Sequence, residues 1–151
     1  QVVAIGPTYY DVHGPRILPG RPFDETDASV AGKPVAIVNA AFVGALSAPA
    51  GAVGQRLRPF DPQSGRPSDA AMDIVGVVQD SPAFQISQRG PAWEAQPTIY
   101  VPLTGTAPTL RLILHLRNNP QAFVPRLQGA AARMDAALDV SRKAYTRTSK
   151  I

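Results

Sequence analysis

Few residues in this chain have types that do acid–base or nucleophilic chemistry. Two histidines, His13 and His115, and no cysteine occur among 151 residues, which leaves no disulfide, thiolate metal site or cysteine nucleophile. His13 follows Asp11 by two positions, a spacing that in an extended segment presents imidazole and carboxylate together. No second histidine lies nearby to complete a metal shell, so a turn residue is the better account. His115 alternates with Arg111, Ile113 and Arg117, where an imidazole sits on the polar side of a strand without a task, whatever its titration range. Asp24, Glu25 and Asp27 offer hard oxygen atoms, but the ligand alternation and the glycine of a calcium loop are missing. They read as turn and capping carboxylates. Ser81, Ser87 and Ser141 lack the glycine-flanked elbow of a nucleophilic serine and a base beside them in sequence, although a triad can assemble in space. Gly51 and Gly54 lack the lysine and hydroxyl context of a phosphate loop. No catalytic residue, cofactor-binding residue or metal ligand is therefore assigned, and the chain reads as non-enzymatic.

Phe84, Arg89 and Trp93 are the candidate partner-binding residues. They lie in Ser81 to Gln96, a stretch without clear hydrophobic period, and aromatic residues and arginine are the types that anchor protein interfaces. The length of this stretch is unusual for a plain connection. The formal charge of +4 is concentrated partly in Arg142, Lys143, Arg147 and Lys150, with only Tyr145 among those cations. Nucleic-acid binding calls for a basic stripe interleaved with stacking aromatics, so no nucleic-acid partner is expected.

The elements that would position these residues are short. Sixteen prolines and twelve glycines, with 7% aromatic residues, predict many brief elements joined by turns and exclude a helical bundle. Gln1 to Ile5 reads as a strand, Thr8 to Val12 as a helical turn, and Arg16 to Leu18 as a brief strand stopped by Pro19-Gly20. Val35 to Val38 is a β-branched run, and Asn39 caps a helix over Ala40 to Leu46. Gln55 to Arg58 is a strand fragment, followed by a loop over Pro59 to Ser68. Met72 to Val78 has the continuous apolar character of a strand covered on both faces, with a bulge or close backbone approach expected at Gly76. Thr98 to Val101 and the alternating Leu110 to Arg117 are further strands. Phe123, Leu127, Ala130 or Ala131, Met134 and Leu138 form a helical stripe after Asn119-Pro120, with regular helix expected from Pro125. A weak final strand falls around Asp139 to Tyr145. The uneven crossovers exclude a doubly wound parallel sheet. The expected class is α+β, a mixed sheet with a few short helices and room for two small lobes.

Apolar stretches such as Ala36 to Ala48 are shorter than the roughly 18 to 20 residues that cross a bilayer. The chain also opens on an apolar run without an initiating Met or signal-peptide pattern, which reads as a piece of something longer.

Read in order, "VAIVNAAFVGAL" at Val35 to Leu46, "GAVGQRLR" at Gly51 to Arg58, "DIVGVVQD" at Asp73 to Asp80 and "PTIYVPL" at Pro97 to Leu103 resemble the periplasmic core domain of MacB/FtsX-like ABC transporter permeases. Upstream, "GPTYYDVHGPRILPGRPFDETD" with its Gly20-Arg21 pair is similar to the segment that precedes that strand in the family. Downstream, Leu110 to Leu138 resembles its strand and return helix. The ordered series carries the resemblance, since no single motif is diagnostic. Ala40 stands where the family often has an acidic residue, and Ala48 to Val53 replaces its Pro-Gly-Glu-Asp-Pro turn. These departures touch a cap and a turn.

The resemblance implies a partial core domain over residues 1–151, with an outer lobe over about 1–105 and a strand-helix-strand over about 106–151 returning to a membrane-proximal lobe. It implies an extracytoplasmic location at the bacterial inner membrane, no cofactor, and coupling of ATP-driven helix motion to export or to an outside partner. The implied partners are a cytoplasmic ABC ATPase, a periplasmic adaptor or exported substrate, and a second permease copy. A free-standing periplasmic ligand-binding module and, behind it, a small hydrolase using His13 or His115 are the rival readings.

Overall fold

The computed structural model describes residues 1–13, 15–29, 33–46, 51–61, 65–67, 71–81, 95–105, 114, 116 and 119–134. Within them the chain runs through β1 (Val2–Ile5), α1 (Tyr9–His13), β2 (Ile17–Gly20), β3 (Val35–Asn39), α2 (Ala40–Ala45), β4 (Arg56–Leu57), β5 (Phe60–Asp61), β6 (Arg66–Pro67), β7 (Met72–Val78), β8 (Ile99–Pro102) and α3 (Pro120–Met134). Two compact units divide the chain, Gln1–Arg111 and Leu112–Ile151.

The first unit holds a mixed sheet in the order β1-β8-β3-β7-β2, with β4 also paired to β7. β1 runs parallel to β8, β8 antiparallel to β3, β3 parallel to β7, and both β2 and β4 antiparallel to β7. This is the expected α+β class with a mixed sheet. All five positions of β3 are buried; the four apolar ones, Val35 to Val38, suit a central strand with both faces covered, and Asn39 ends it.

A bulge in β7 decides which side chains meet. The β3 register passes from Ala36 opposite Ile74 to Ile37 opposite Gly76, leaving Val75 as the extra residue. An extra residue reverses the side-chain alternation beyond it. Ile74 and Val77, three positions apart, consequently share one cluster with Val38 and Ala52. Val78 joins the other, with Ile5, Tyr10, Phe23, Val35, Ile37 and Tyr100. Ile37, Ile74, Val38 and Val78 are fully enclosed, and each contributes roughly 1.5–3 kcal/mol by leaving water.

Two glycines let the backbones meet at that bulge. Arg21 N–H donates to Val75 O at 3.0 Å. A Cβ on Gly20, whose φ is +95°, would stand 2.3 Å from Val75 O, and one on Gly76 would stand 2.6 Å from Arg21 O. The close approach expected at Gly76 is present, and its partner is Gly20.

Three local expectations need correction. Within Pro59 to Ser68, β5 and β6 pair as a two-stranded antiparallel ladder, Phe60 with Pro67 and Asp61 with Arg66; two-residue strands leave no detectable alternation. α3 is helical from Pro120 and passes through Pro125. Asn119 supports that earlier start, because its side-chain oxygen accepts from Gln121 N–H at 3.0 Å and its carbonyl from Ala122 N–H at 3.2 Å. Along the helix Phe123, Leu127, Ala130 and Ala131 are half-buried, whereas Met134 is 83% exposed and leaves the expected stripe. Most of Leu110 to Arg117 and all of Asp139 to Tyr145 lie outside the described residues. No helix among the described residues is long and apolar enough to cross a membrane.

Candidate functional site

The strongest polar constellation gathers where β3 turns into α2. Asn39 is only 5% exposed, so each polar atom of its side chain needs a partner. Its Oδ1 accepts from Phe42 N–H at 3.0 Å, capping α2, and from Thr98 N–H at 2.8 Å. Its Nδ2 donates to Gln96 O at 2.8 Å. Two donors facing one side-chain atom and a carbonyl facing the other leave a single consistent orientation of the amide. The Asn39 N–H donates in turn to Thr98 O at 3.1 Å. Thr98, also buried, sends its hydroxyl to Gln96 O at 2.9 Å.

Asp80 completes the junction from β7, its Oδ1 accepting from Ala41 N–H at 3.2 Å. A carboxylate near the first turn of a helix suits the orphan N–H groups there. Residues 39–42 thus hold both Asp80, where the chain leaves β7, and Gln96 to Thr98, where it enters β8. Phe84, Arg89 and Trp93 belong to the segment between and lie outside the described residues. The sequence identified Asn39 as a helix cap. It did not reveal the reach to Gln96 and Thr98, since those contacts are set by sheet order. The signal for Asp80 was a carboxylate just past the end of a buried strand.

The acidic cluster is occupied by its own turn. Asp24 Oδ1 accepts from Thr26 N–H at 2.9 Å, from the Thr26 hydroxyl, and from Asp27 N–H at 3.1 Å. Arg21 grips Asp27 with two nitrogens, at 2.6 and 2.9 Å. Asp27 lies below the usual carboxylate range, chiefly through that hydrogen bond from Arg21. Asp24 lies below it chiefly through the Thr26 hydroxyl. Glu25 remains exposed. This geometry is that of turn and capping carboxylates, and no group of metal-ligating side chains gathers among the described residues.

A further concavity, about 620 Å³ and open to solvent, sits where β2 and β4 approach β7 from the same side. Gly20, Arg21, Val53, Gly54, Arg56, Asp73, Ile74 and Val75 line it. Arg56 Nε donates to Asp73 at 2.9 Å, and that bond holds the Asp73 carboxyl below its usual range. Both arginines at the rim are already engaged with carboxylates.

His13 ends α1; its side chain, His115, Ser87 and Ser141 lie outside the described residues. Ser81 follows Asp80 at the exit from β7. Behind the junction, Tyr100 packs edge-on to Tyr10 at 5.9 Å between ring centroids. Burial pushes the Tyr100 phenol up to about 12, so it stays protonated at neutral pH and serves as core.

Comparison with known proteins completes the picture. No curated protein matches the chain. Three solved structures resemble it: the periplasmic region of MacB from Actinobacillus actinomycetemcomitans, at 20% identity and TM-score 0.48, covering 68% of this chain and 37% of that one; the extracellular domain of the noncanonic ABC-type transporter YknZ from Gram-positive bacteria, at 19% and 0.46, covering 68% and 42%; and a domain assigned to a permease protein of Porphyromonas gingivalis, at 18% and 0.52, covering 87% and 59%. The chain spans less than two thirds of each of these. The last shares its fold. Residues 1–139 match the sequence profile of the MacB-like periplasmic core domain. The chain belongs to this family, the MacB-like periplasmic core domains of ABC transporter permeases, and as such lies on the extracytoplasmic side of the membrane.

Proposed function

We propose that this domain couples ATP-driven movement of a permease's transmembrane helices to export, or to a partner outside the membrane, without catalysing a reaction itself. Family membership over residues 1–139 is the observation that carries this reading. The central sheet supports it: β3 is buried throughout and locked between β7 and β8, a rigid body suited to passing on displacement. A cytoplasmic ABC ATPase supplies the energy, and the permease works as a homodimer. Residues 1–105 form the outer lobe and 106–151 return toward the membrane. Phe84, Arg89 and Trp93 form the contact with an adaptor or exported substrate, since Asp80 and Gln96 to Thr98 fix the two ends of their segment.

These 151 residues hold no cysteine, so a full-length permease in which any cysteine outside them has been replaced permits a direct test. A single Glu25→Cys substitution carries a spin label into each copy of the full-length permease dimer. ATP turnover is expected to shift the label-to-label distance distribution; an unchanged distribution through the whole cycle refutes the coupling. For the contact, a photocrosslinking residue placed at position 93 is expected to give a discrete adduct in cells, lost on Arg89→Glu. Absence of an adduct refutes the role assigned to Phe84, Arg89 and Trp93.

A further inference from the structure

We infer that α1 is a strap that opens from the sheet while the sheet itself stays folded, and that the hydroxyl of Tyr10 sets how often it does so. The segment that carries α1 leaves β1 and enters β2, strands at opposite ends of the order β1-β8-β3-β7-β2. With Tyr10 it crosses the face on which Ile5, Phe23, Ile37, Val78 and Tyr100 gather. Both ends are tied to other strands or their continuations: Leu103 N–H donates to Ile5 O at 2.9 Å, and Gln79 N–H to Arg16 O at 3.0 Å.

Between those ties the attachment is by side chains. Among the described residues no backbone hydrogen bond runs from α1 to a strand; Tyr9 N–H donates to Gly6 O at 3.2 Å and Val12 N–H to Thr8 O at 3.3 Å, both inside the segment. Tyr10 is the buried anchor. Its ring stands edge-on to Tyr9 at 5.6 Å and to Tyr100 at 5.9 Å between centroids. Five residues are too few for a helix to persist on its own backbone bonds, so the packing of these rings holds α1 closed.

The same anchor opposes the closed state. Tyr10 Oη is sealed from solvent and finds no hydrogen-bond partner among the described residues, and burial pushes the phenol far above its ordinary value. A buried hydroxyl without a partner loses its hydration and gains no bond to replace it. That penalty vanishes when α1 lifts and the hydroxyl meets water, so it raises the open population. The sheet below is held differently, with β3 buried along its length and paired to both β7 and β8. Lifting α1 uncovers Tyr100 and Ile5 and leaves those ladders in place. Local opening of this kind is governed by the stability of the small unit and is separate from unfolding of the whole.

The test is hydrogen–deuterium exchange of the full-length permease, read on peptides covering residues 6–13 and 35–39 under conditions where closing outpaces exchange. In the wild type, the bonded Tyr9 and Val12 amides are expected to exchange far faster than those of 35–39. They are also expected to respond less to sub-denaturing urea, since a small opening exposes little surface. Tyr10→Phe keeps the ring and its edge-on packing but removes the hydroxyl, and is expected to slow exchange over 6–13 by about tenfold. Peptides 6–13 and 35–39 that exchange together, with one urea dependence, overturn the inference, because α1 then opens only when the sheet unfolds. That comparison needs no variant. Exchange over 6–13 that is as fast or faster in Tyr10→Phe also overturns it, because the hydroxyl then does not favour opening.

Discussion

At the scale of single residues, the tightest constraint is the backbone crossing at Gly20 and Gly76. Gly76→Ala would set a Cβ 2.6 Å from Arg21 O, against main chain that has no rotamer to yield. Displacing that strand is expected to cost about 2–3 kcal/mol, in the range of overpacking and local strain, read as a lower urea midpoint with an unchanged slope. Half of this contact was legible beforehand. A glycine inside an apolar strand signals a bulge or close approach, but its partner stands 56 residues earlier in a Pro-Gly pair that reads locally as a strand stop. Asp27 sets a second expectation. Its carboxyl lies below its ordinary range because Arg21 donates to it, so the folded state binds its proton less readily than the unfolded chain. Its stabilising contribution is complete above the ordinary carboxylate value of 3.8 and is lost as pH falls through the lowered folded value. Asp27→Asn is expected to cost about 1–2 kcal/mol at neutral pH and to flatten the part of the acid limb of stability that lies below the ordinary value of 3.8. An acid limb as steep as wild type would show that other carboxylates govern it.

At the scale of elements, length and burial determine what a sequence discloses. β7 was readable because the run from Met72 to Val78, apart from Asp73, keeps an apolar character that suits a doubly covered strand. The α2 boundary was readable because Asn39 is both the last strand residue and the cap. β5 and β6 were hidden because two residues each are too few for any period to register. α3 is the instructive case. Proline inside a helix predicts a break, yet the helix runs from Pro120 to Met134 with Pro125 within it. It tolerates that residue at the loss of one backbone bond, the one Pro125 cannot donate to Gln121, and of room around that carbonyl. Pro125→Ala is expected to stabilise α3 by roughly 1–3 kcal/mol, seen as slower amide exchange over residues 124–131. Unchanged exchange would mean that the helix is held by its half-buried face, through Phe123 and Leu127, and that backbone bonding contributes little.

At the scale of the whole molecule, the functional class was accessible to sequence while the contact geometry was not. Ordered motifs from Val35 to Leu103 establish kinship because they preserve the succession of strand, cap, turn and strand, each under a physical requirement of its own. The junction around Asn39 depends on β8 lying beside β3, a neighbour relation between residues 57 and 59 positions apart that no local pattern encodes. Extracytoplasmic placement leads to a last expectation. Glu25 is exposed beside the Arg21–Asp27 pair, with its neighbour Asp24 engaged by Thr26. A cysteine there meets solvent without disturbing either bond, and these 151 residues supply no other thiol to compete; any cysteine elsewhere in the full-length permease is replaced beforehand. In intact spheroplasts carrying the full-length Glu25→Cys permease, a membrane-impermeant maleimide is expected to label position 25 without lysis, to the same extent as after permeabilisation. Ala52→Cys is the internal control: a small core residue 3% exposed beside Val38, Ile74 and Val77 is expected to label far more slowly until denaturant opens the fold. Labelling of position 25 only after lysis would place the domain on the cytoplasmic side. Equal labelling of positions 25 and 52 in native spheroplasts would show instead that the core around Ala52 opens in the membrane-bound protein.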